Sequence, residues 1–113
     1  MSNSDSTQEL GRIAGIWKML GKRWTLQILG IMSSREATRF NELKRSLAGI
    51  SGTILSERLL ELEREGLVTK KIYGAVPPRV EYRLTASARE LENILAEFGR
   101  WCAGRNSIYL MTN

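Results

Sequence analysis

The side chains of this sequence that could take part in chemistry are hydroxyl and basic groups rather than those of a catalytic centre. The 113 residues include no His and a single Cys, Cys102. Nucleophiles activated by imidazole are therefore excluded, and zinc or a later transition metal would find almost no ligands. Neither a G-x-x-x-x-G-K-[ST] nor a G-x-G-x-x-G phosphate loop occurs. The sequence predicts a binding protein and not an enzyme, with no catalytic residue, metal site or cofactor.

Hydroxyl groups are concentrated near the start of a helix predicted from Ser51 to Glu65. Leu55, Leu59 and Leu62 mark its inward face. The opposite face, with one basic residue on its flank, carries the side chains that a major groove of DNA would meet: Thr53, Ser56, Glu57, Leu60, Arg64 and, on the flank, Arg58. An ordinary amphipathic helix with a solvated outer face has the same pattern, so this helix alone leaves both interpretations open.

The distribution of charge favours a polyanionic partner. Between Arg12 and Arg83 there are 14 basic and 7 acidic side chains, which places the net charge of +5 in the middle of the chain. The candidates for contacts with DNA phosphates are the basic residues of the segments that flank the predicted helix: Lys22, Arg23, Lys44, Arg45, Lys70, Lys71, Arg79 and Arg83. Charges in a hairpin also protect an exposed sheet edge, but their clustering around one groove-sized helix favours DNA.

The elements that must position these side chains follow a recognisable order. Two helices joined by a turn at Gly49 predict a helix-turn-helix over about residues 40–65. A β-hairpin with a stiff, proline-containing loop, a wing, is predicted over about residues 67–84. A last helix, capped by Thr85 or Ser87, is predicted over about residues 86–104. We therefore expect a mainly α-helical winged helix-turn-helix, one domain over residues 9–113, after a disordered polar tail of residues 1–8.

Apolar stripes on the first and last helices predict a homodimer. A three-helix body with a wing has no need of two further apolar faces, and a second copy of the chain would bury them. The residues expected in the dimer interface are Ile13, Ile16, Trp17, Leu91, Ile94, Leu95, Phe98 and Trp101. Trp24 is expected in the core, and Cys102 is expected to be a small buried hydrophobe rather than a redox sensor.

Several segments together resemble the HxlR-type winged-helix transcriptional regulators. Leu20–Leu29 resembles the family's I-G-G-K-W-T-L-x-I-L segment, Arg39–Leu43 its R-F-N-E-L helix start, and Val76–Tyr82 its wing. The recognition-helix frame is similar at Gly49-Ile50-Ser51, Leu55-Ser56, Arg58-Leu59, Leu62 and Gly66-Leu67-Val68, and Leu84-Thr85 follows the wing. The similarity runs collinearly over about residues 10 to 103.

This resemblance implies a cytoplasmic, prokaryotic, sequence-specific regulator that binds double-stranded DNA near promoters and dimerises through its terminal helices. By position, the implied DNA face comprises Ser51, Thr53, Ser56, Glu57 and Arg58, with Arg79 at the wing. In the family's G-G-K-W motif the second glycine is replaced here by Lys22. Ser6, Thr7 and Gln8 stand where thiol-sensing members carry a cysteine.

Two other functions remain open on the sequence. A winged helix can serve as a docking module for another protein, which would favour exposed apolar residues on the helix and wing. A regulator could also hold a small ligand at its dimer interface. With one cysteine, no apolar stretch of bilayer length and no signal-like start, the sequence predicts a cytoplasmic protein with no membrane association.

Overall fold

The computed structural model describes residues 3–74 and 76–112, with side chains described for residues 6–74 and 76–105. In chain order the elements are α1 (Asn3–Leu20), α2 (Thr25–Ser33), β1 (Thr38–Arg39), α3 (Phe40–Ser46), α4 (Gly52–Arg64), β2 (Val68–Tyr73), β3 (Arg79–Leu84) and α5 (Ala86–Thr112). No helix within these ranges has the length and apolar character required to cross a membrane.

The core lies between the short helices α2, α3 and α4 and one face of the sheet. Its best-buried apolar side chains are Ile28, Leu29, Met32, Leu43, Leu55, Leu59, Leu62 and Val68. The stripe Leu55, Leu59 and Leu62 is fully enclosed, which confirms the predicted inward face of α4. Trp24 is half-buried and packs against this core, as predicted. The outer face of α4 is thereby fixed toward solvent.

The predicted helix-turn-helix is formed by α3, α4 and the turn between them. Gly49 has φ 90°, a left-handed conformation that glycine adopts without steric cost. Ser51 then caps α4, because its Oγ accepts a hydrogen bond of 3.1 Å from the backbone N–H of Ile54. Gly66, with φ 74°, turns the chain from α4 into the wing. The predicted winged helix-turn-helix fold is confirmed.

The wing belongs to a three-stranded antiparallel sheet with the order β1-β3-β2. In the hairpin, Val68 pairs with Leu84 and Tyr73 pairs with Arg79. The edge strand β1 pairs Thr38 with Tyr82. The sequence did not predict β1, because two residues are too few to show an alternating pattern and their backbone partners lie about 40 positions away in the chain.

Helix ends differ from the predictions in several places. Residues 3–8, predicted as part of a disordered tail, continue α1, whereas residues 1 and 2 lie outside the described residues. α5 likewise runs past residue 104 to Thr112. Once a helix has nucleated, each added residue gains one backbone hydrogen bond, so helices extend beyond the apolar stripe that reveals them. At the start of α5, Thr85 is the cap, since its Oγ1 accepts a bond of 3.2 Å from the Ala88 N–H.

Candidate nucleic-acid interface

The outer face of α4 presents the side chains expected to meet DNA. Ser51, Thr53, Ser56 and Glu57 are all exposed. They lie in the N-terminal half of the helix, where the backbone N–H groups and the positive end of the helix dipole favour an anion. Short hydroxyls beside such an end can bond either a phosphate or a base edge. The face is therefore suited to a nucleic acid, although Glu57 places one negative charge on it.

Arg58 points elsewhere. Its side chain is only 14% exposed. Its Nε donates to the backbone oxygen of Arg23 at 2.9 Å, and its Nη1 donates to Glu61 Oε1 at 3.0 Å. The expected contact of Arg58 with a phosphate or guanine thus conflicts with this geometry, because the backbone oxygen of Arg23 and the carboxylate of Glu61 already engage the guanidinium.

The two basic residues at the α1–α2 junction are also engaged within the chain. Lys22 Nζ forms an ion pair with the carboxylate of Glu61. The guanidinium of Arg23 lies 4.6 Å from the centroid of the Trp24 ring, within cation–π range. Arg23 is exposed and Lys22 is partly so, and both remain at the surface next to α4.

Basic side chains of the wing gather on its outer face around one carboxylate. The register places Lys71 opposite Glu81 and Tyr73 opposite Arg79, so these four share a face. Arg79 Nη2 lies 3.0 Å from Glu81, and Arg83 lies 3.6 Å from the other oxygen of the same carboxylate. Glu81 itself is only 8% exposed. The buried carboxylate holds both guanidinium groups in place while leaving the face with a net positive charge.

The remaining wing charges are accessible. Lys70 is exposed on the opposite face of β2, and the ammonium of Lys71 lies 5.1 Å from the Tyr73 ring. Arg83 also pairs with Glu36 at 3.3 Å. A hydrogen bond with the Tyr73 side chain, with the Glu36 bond adding to it, raises the pKa of Arg83 above its already high ordinary value, so this guanidinium stays charged.

A groove of about 800 Å³ between α3 and the wing tip brings together basic residues from two elements. Arg45 lines the groove from α3, and Arg79 lines it from the wing. Both residues were predicted from the sequence to contact DNA phosphates. Arg39 also lines it but was not among the candidates, because it lies on the unpredicted strand β1. Lys44 and Arg45 are exposed in the last turn of α3, where they also stabilise the negative end of that helix.

The residues expected in a dimer interface separate into two groups. Leu91 and Leu95 are half-buried and pack against the core of their own chain, so they stabilise the fold of the single chain. The other expected residues are exposed large hydrophobics: Ile13, Ile16, Trp17, Ile94, Phe98 and Trp101. On α5, Phe98 stacks on Trp101 with ring centroids 5.9 Å apart. Cys102 beside them is exposed in the single chain, so its predicted burial depends on a second subunit that covers α5.

A helix-turn-helix followed by a basic β-hairpin wing is the architecture of winged-helix DNA-binding regulators. The family model described as HxlR-like helix-turn-helix matches residues 19–107. This chain belongs to that family, whose members are transcriptional regulators and not enzymes. It is a helix-turn-helix, DNA-binding transcriptional regulator.

Relatives and solved structures agree with this assignment. An uncharacterised HTH-type transcriptional regulator of Halalkalibacterium halodurans is 42% identical over 83 residues, 74% of each chain. YvaP of Bacillus subtilis, also described as an uncharacterised HTH-type transcriptional regulator, is 40% identical over 83 residues, 74% of this chain and 76% of its own. The solved structure of reduced HypR, described as a redox regulator, is similar with a TM-score of 0.78 and 31% identity, covering 86% of this chain and 95% of its own.

Proposed function

We propose that this regulator acts as a homodimer in the cytoplasm of a prokaryotic cell and recognises a pseudo-palindromic site on double-stranded DNA near promoters. α4 enters the major groove with Thr53 and Ser56 toward the base edges. The wing lies along the adjacent backbone or minor groove with Arg79 toward phosphates.

The observation that carries this proposal is the adjacency of two exposed polar faces. The elements that carry these faces, α4 and the hairpin, are separated in the chain by residues 65–67 alone, and α4 packs against β2. Arg79 keeps an exposed side chain beside Glu81, so it is free to approach a phosphate. Sequence-specific DNA binding requires contacts to base edges, which select the sequence, and contacts to phosphates, which position the protein. In this proposal α4 makes the first and the hairpin makes the second.

The dimer is supported by the exposed apolar side chains of α1 and α5. Trp17 is 72% exposed and Trp101 is 58% exposed in the single chain. Aromatic residues at this exposure, on helices outside the helix-turn-helix, are typical of a subunit interface. A two-fold dimer presents two copies of α4 to one side of a duplex, which matches a pseudo-palindromic site.

Fluorescence anisotropy tests the proposal. Duplexes from upstream of the gene and its neighbours are labelled, and a scrambled duplex competes at several salt concentrations. We expect the protein to stay bound to the labelled duplex in the presence of the scrambled competitor. The logarithm of the binding constant should fall with the logarithm of the salt concentration, with a slope of about one for each phosphate contacted. Equal and weak binding to both duplexes would contradict sequence-specific recognition.

A docking function for the same surface has one observation in its favour. Leu60 on α4 and Ile72 on β2 are exposed, and Ile72 is 62% exposed. Such side chains suit contact with a protein better than contact with phosphates. If the anisotropy experiment shows no specific binding, Ile72→Glu should abolish capture of a partner protein from lysate, whereas Arg79→Ala should leave it intact.

A further inference from the structure

The segment that joins the terminal helix α1 to the helix-turn-helix body holds an unusual conformation. Trp24, immediately before α2, has φ 84° and ψ −21°, the left-handed region. A bulky residue adopts it only at a cost in free energy and keeps it only where surrounding contacts impose it. Gly21 is tightly packed as well, since a Cβ there would lie 3.2 Å from the backbone oxygen of Trp17. The direction in which α1 leaves the body is therefore determined by contacts at residues 21–24.

Further contacts to the junction come from α4. Arg58 donates to the Arg23 backbone oxygen at 2.9 Å and to Glu61 at 3.0 Å, while Glu61 accepts from Lys22. We name Lys22, Arg23, Arg58 and Glu61 the junction clasp. Glu61 is its centre, since its carboxylate bonds one residue of the junction and one of α4. Burial raises the pKa of Glu61, but the hydrogen bonds and charges of Lys22 and Arg58 lower it by more, so the carboxylate is ionised at neutral pH.

The junction clasp connects α4, which is proposed to read DNA, to the end of α1, which is proposed to join the two subunits. Arg58 and Glu61 follow Thr53 and Ser56 on the same rigid helix. Lys22 and Arg23 follow α1 after the single residue Gly21, and the exposed apolar side chains of α1 are proposed to join the two subunits. In a two-fold dimer joined through α1 and α5, the angle between α1 and α4 within each subunit contributes to the separation of the two copies of α4. That separation must match the spacing of the half-sites.

We propose that Glu61 is a positioning residue that fixes α4 relative to α1 through the junction clasp, and thereby determines the half-site spacing that the dimer selects. The inference rests on the proposed dimeric, groove-reading function. Glu61 itself does not contact DNA. It acts through Lys22 and Arg58, and its loss changes which spacing is preferred rather than which bases are read.

The test measures the preference among spacings in full-length protein. A palindrome is first obtained by selection from random duplexes, and its half-sites are then moved apart or together by one base pair. Glu61→Gln keeps the size of the side chain and removes its charge. We expect its discrimination between the selected spacing and the altered ones to fall by about tenfold, the effect of losing a coupling between contacting residues. Glu65→Gln, an exposed neutralisation on the same helix end, should leave the discrimination unchanged.

A second variant separates positioning from a merely structural role. Lys22→Gln should reduce the discrimination as Glu61→Gln does, and the double variant should reduce it no further, because both remove the same link. A uniform loss of affinity at every spacing, with discrimination intact, would overturn the inference while leaving the proposed function standing. Wild-type protein that sediments as a monomer on a single half-site would overturn the proposed function and this inference together.

Discussion

At the scale of single residues, Glu81 organises the charged side chains of the wing. Its carboxylate is nearly enclosed and contacts Arg79 at 3.0 Å and Arg83 at 3.6 Å. A carboxylate so placed offsets one positive charge, but it also orders two long side chains before any ligand arrives. Ordering in the free protein reduces the entropy lost on binding. The wing is thus a preorganised surface for phosphate oxygens.

Replacing Arg79 should weaken DNA binding without changing its sequence preference. We expect Arg79→Ala to lower affinity for specific and scrambled duplexes alike and to reduce the salt slope by about one, because a phosphate contact carries no sequence information. Anisotropy titrations at several salt concentrations measure both quantities. Arg100→Ala, which removes an arginine paired with Glu97 on α5, is the control. A salt slope unchanged by Arg79→Ala would remove this residue from the interface.

Replacing Thr53 should change the sequence preference of DNA binding and leave its salt dependence unchanged, the reverse of the effect expected for Arg79→Ala. Thr53→Val preserves the shape of the side chain and removes its hydroxyl. We expect the preference for one base pair in each half-site to fall by about 1 kcal/mol, the net contribution of one hydroxyl hydrogen bond, with the salt slope unchanged. Competition with duplexes that differ at single base pairs measures this change. An equal loss of affinity for all those duplexes would mean that Thr53 contacts the backbone instead.

Glu61 should also make the contribution of the junction clasp depend on pH. Lys22 and Arg58 hold the pKa of this carboxyl below its ordinary value of 4.5 despite burial. A group whose pKa is lowered by folding adds stability above its unfolded pKa and loses it as the pH falls through the folded pKa. The difference in free energy of unfolding between wild type and Glu61→Gln should therefore be constant from about pH 6 to pH 8 and shrink below about pH 4.5. Urea titrations across this range measure it, and a difference that grows in acid would contradict the assignment.

At the scale of elements, one arginine adds a polar link between α5 and the end of α2. Arg89 donates to the backbone oxygens of Ser33 at 2.7 Å and Arg35 at 3.0 Å, and it pairs with Glu92 at 3.1 Å. The first two bonds satisfy carbonyl groups at and beyond the end of α2, which lack partners within that helix. Arg89 thereby connects the body of the domain to the helix that carries Phe98 and Trp101.

Loss of this link should destabilise the fold measurably. We expect Arg89→Ala to lower the free energy of unfolding by about 1–3 kcal/mol, since two carbonyl groups lose a charged donor. Arg89→Lys should recover part of this, because an ammonium can reach one carbonyl but lacks the fork that reaches both. Urea unfolding followed by circular dichroism measures each variant. If Arg89→Ala matched the wild type, water would be replacing the guanidinium at no cost.

The elements that could be predicted from sequence are those with a local pattern. The leucine stripe of α4, Gly49 and the alternation in β3 each reveal their structure within about ten residues. Arg58 and Arg89 could not be placed, because their partners lie 35 and 54 to 56 positions away and arise from packing. For the same reason Arg39 was overlooked as a groove residue. The sequence thus predicted which faces of the helices and strands are polar. Which charged side chains on those faces already form ion pairs or hydrogen bonds within the chain depends on the tertiary fold.

At the scale of the whole molecule, the exposed apolar side chains of α1 and α5 determine the expected assembly. We expect Trp17→Glu combined with Phe98→Glu to convert the dimer into a folded monomer, because a buried carboxylate without a partner is strongly unfavourable in an interface. Analytical ultracentrifugation measures the mass. Ile72→Glu, which charges an equally exposed apolar residue on the wing, is the control and should leave the dimer intact. A double variant that remains dimeric would place the interface elsewhere.

The location of the three tryptophans gives the protein a built-in optical signal. Trp17 and Trp101 lie on the terminal helices and are largely open to water in the single chain, whereas Trp24 is half-buried beside the core. An indole emits at shorter wavelength when water is removed from around it. Association through α1 and α5 would therefore shift the emission of two of the three fluorophores to the blue. Dilution of the unlabelled protein, followed by its ultraviolet emission, would then report the strength of self-association directly.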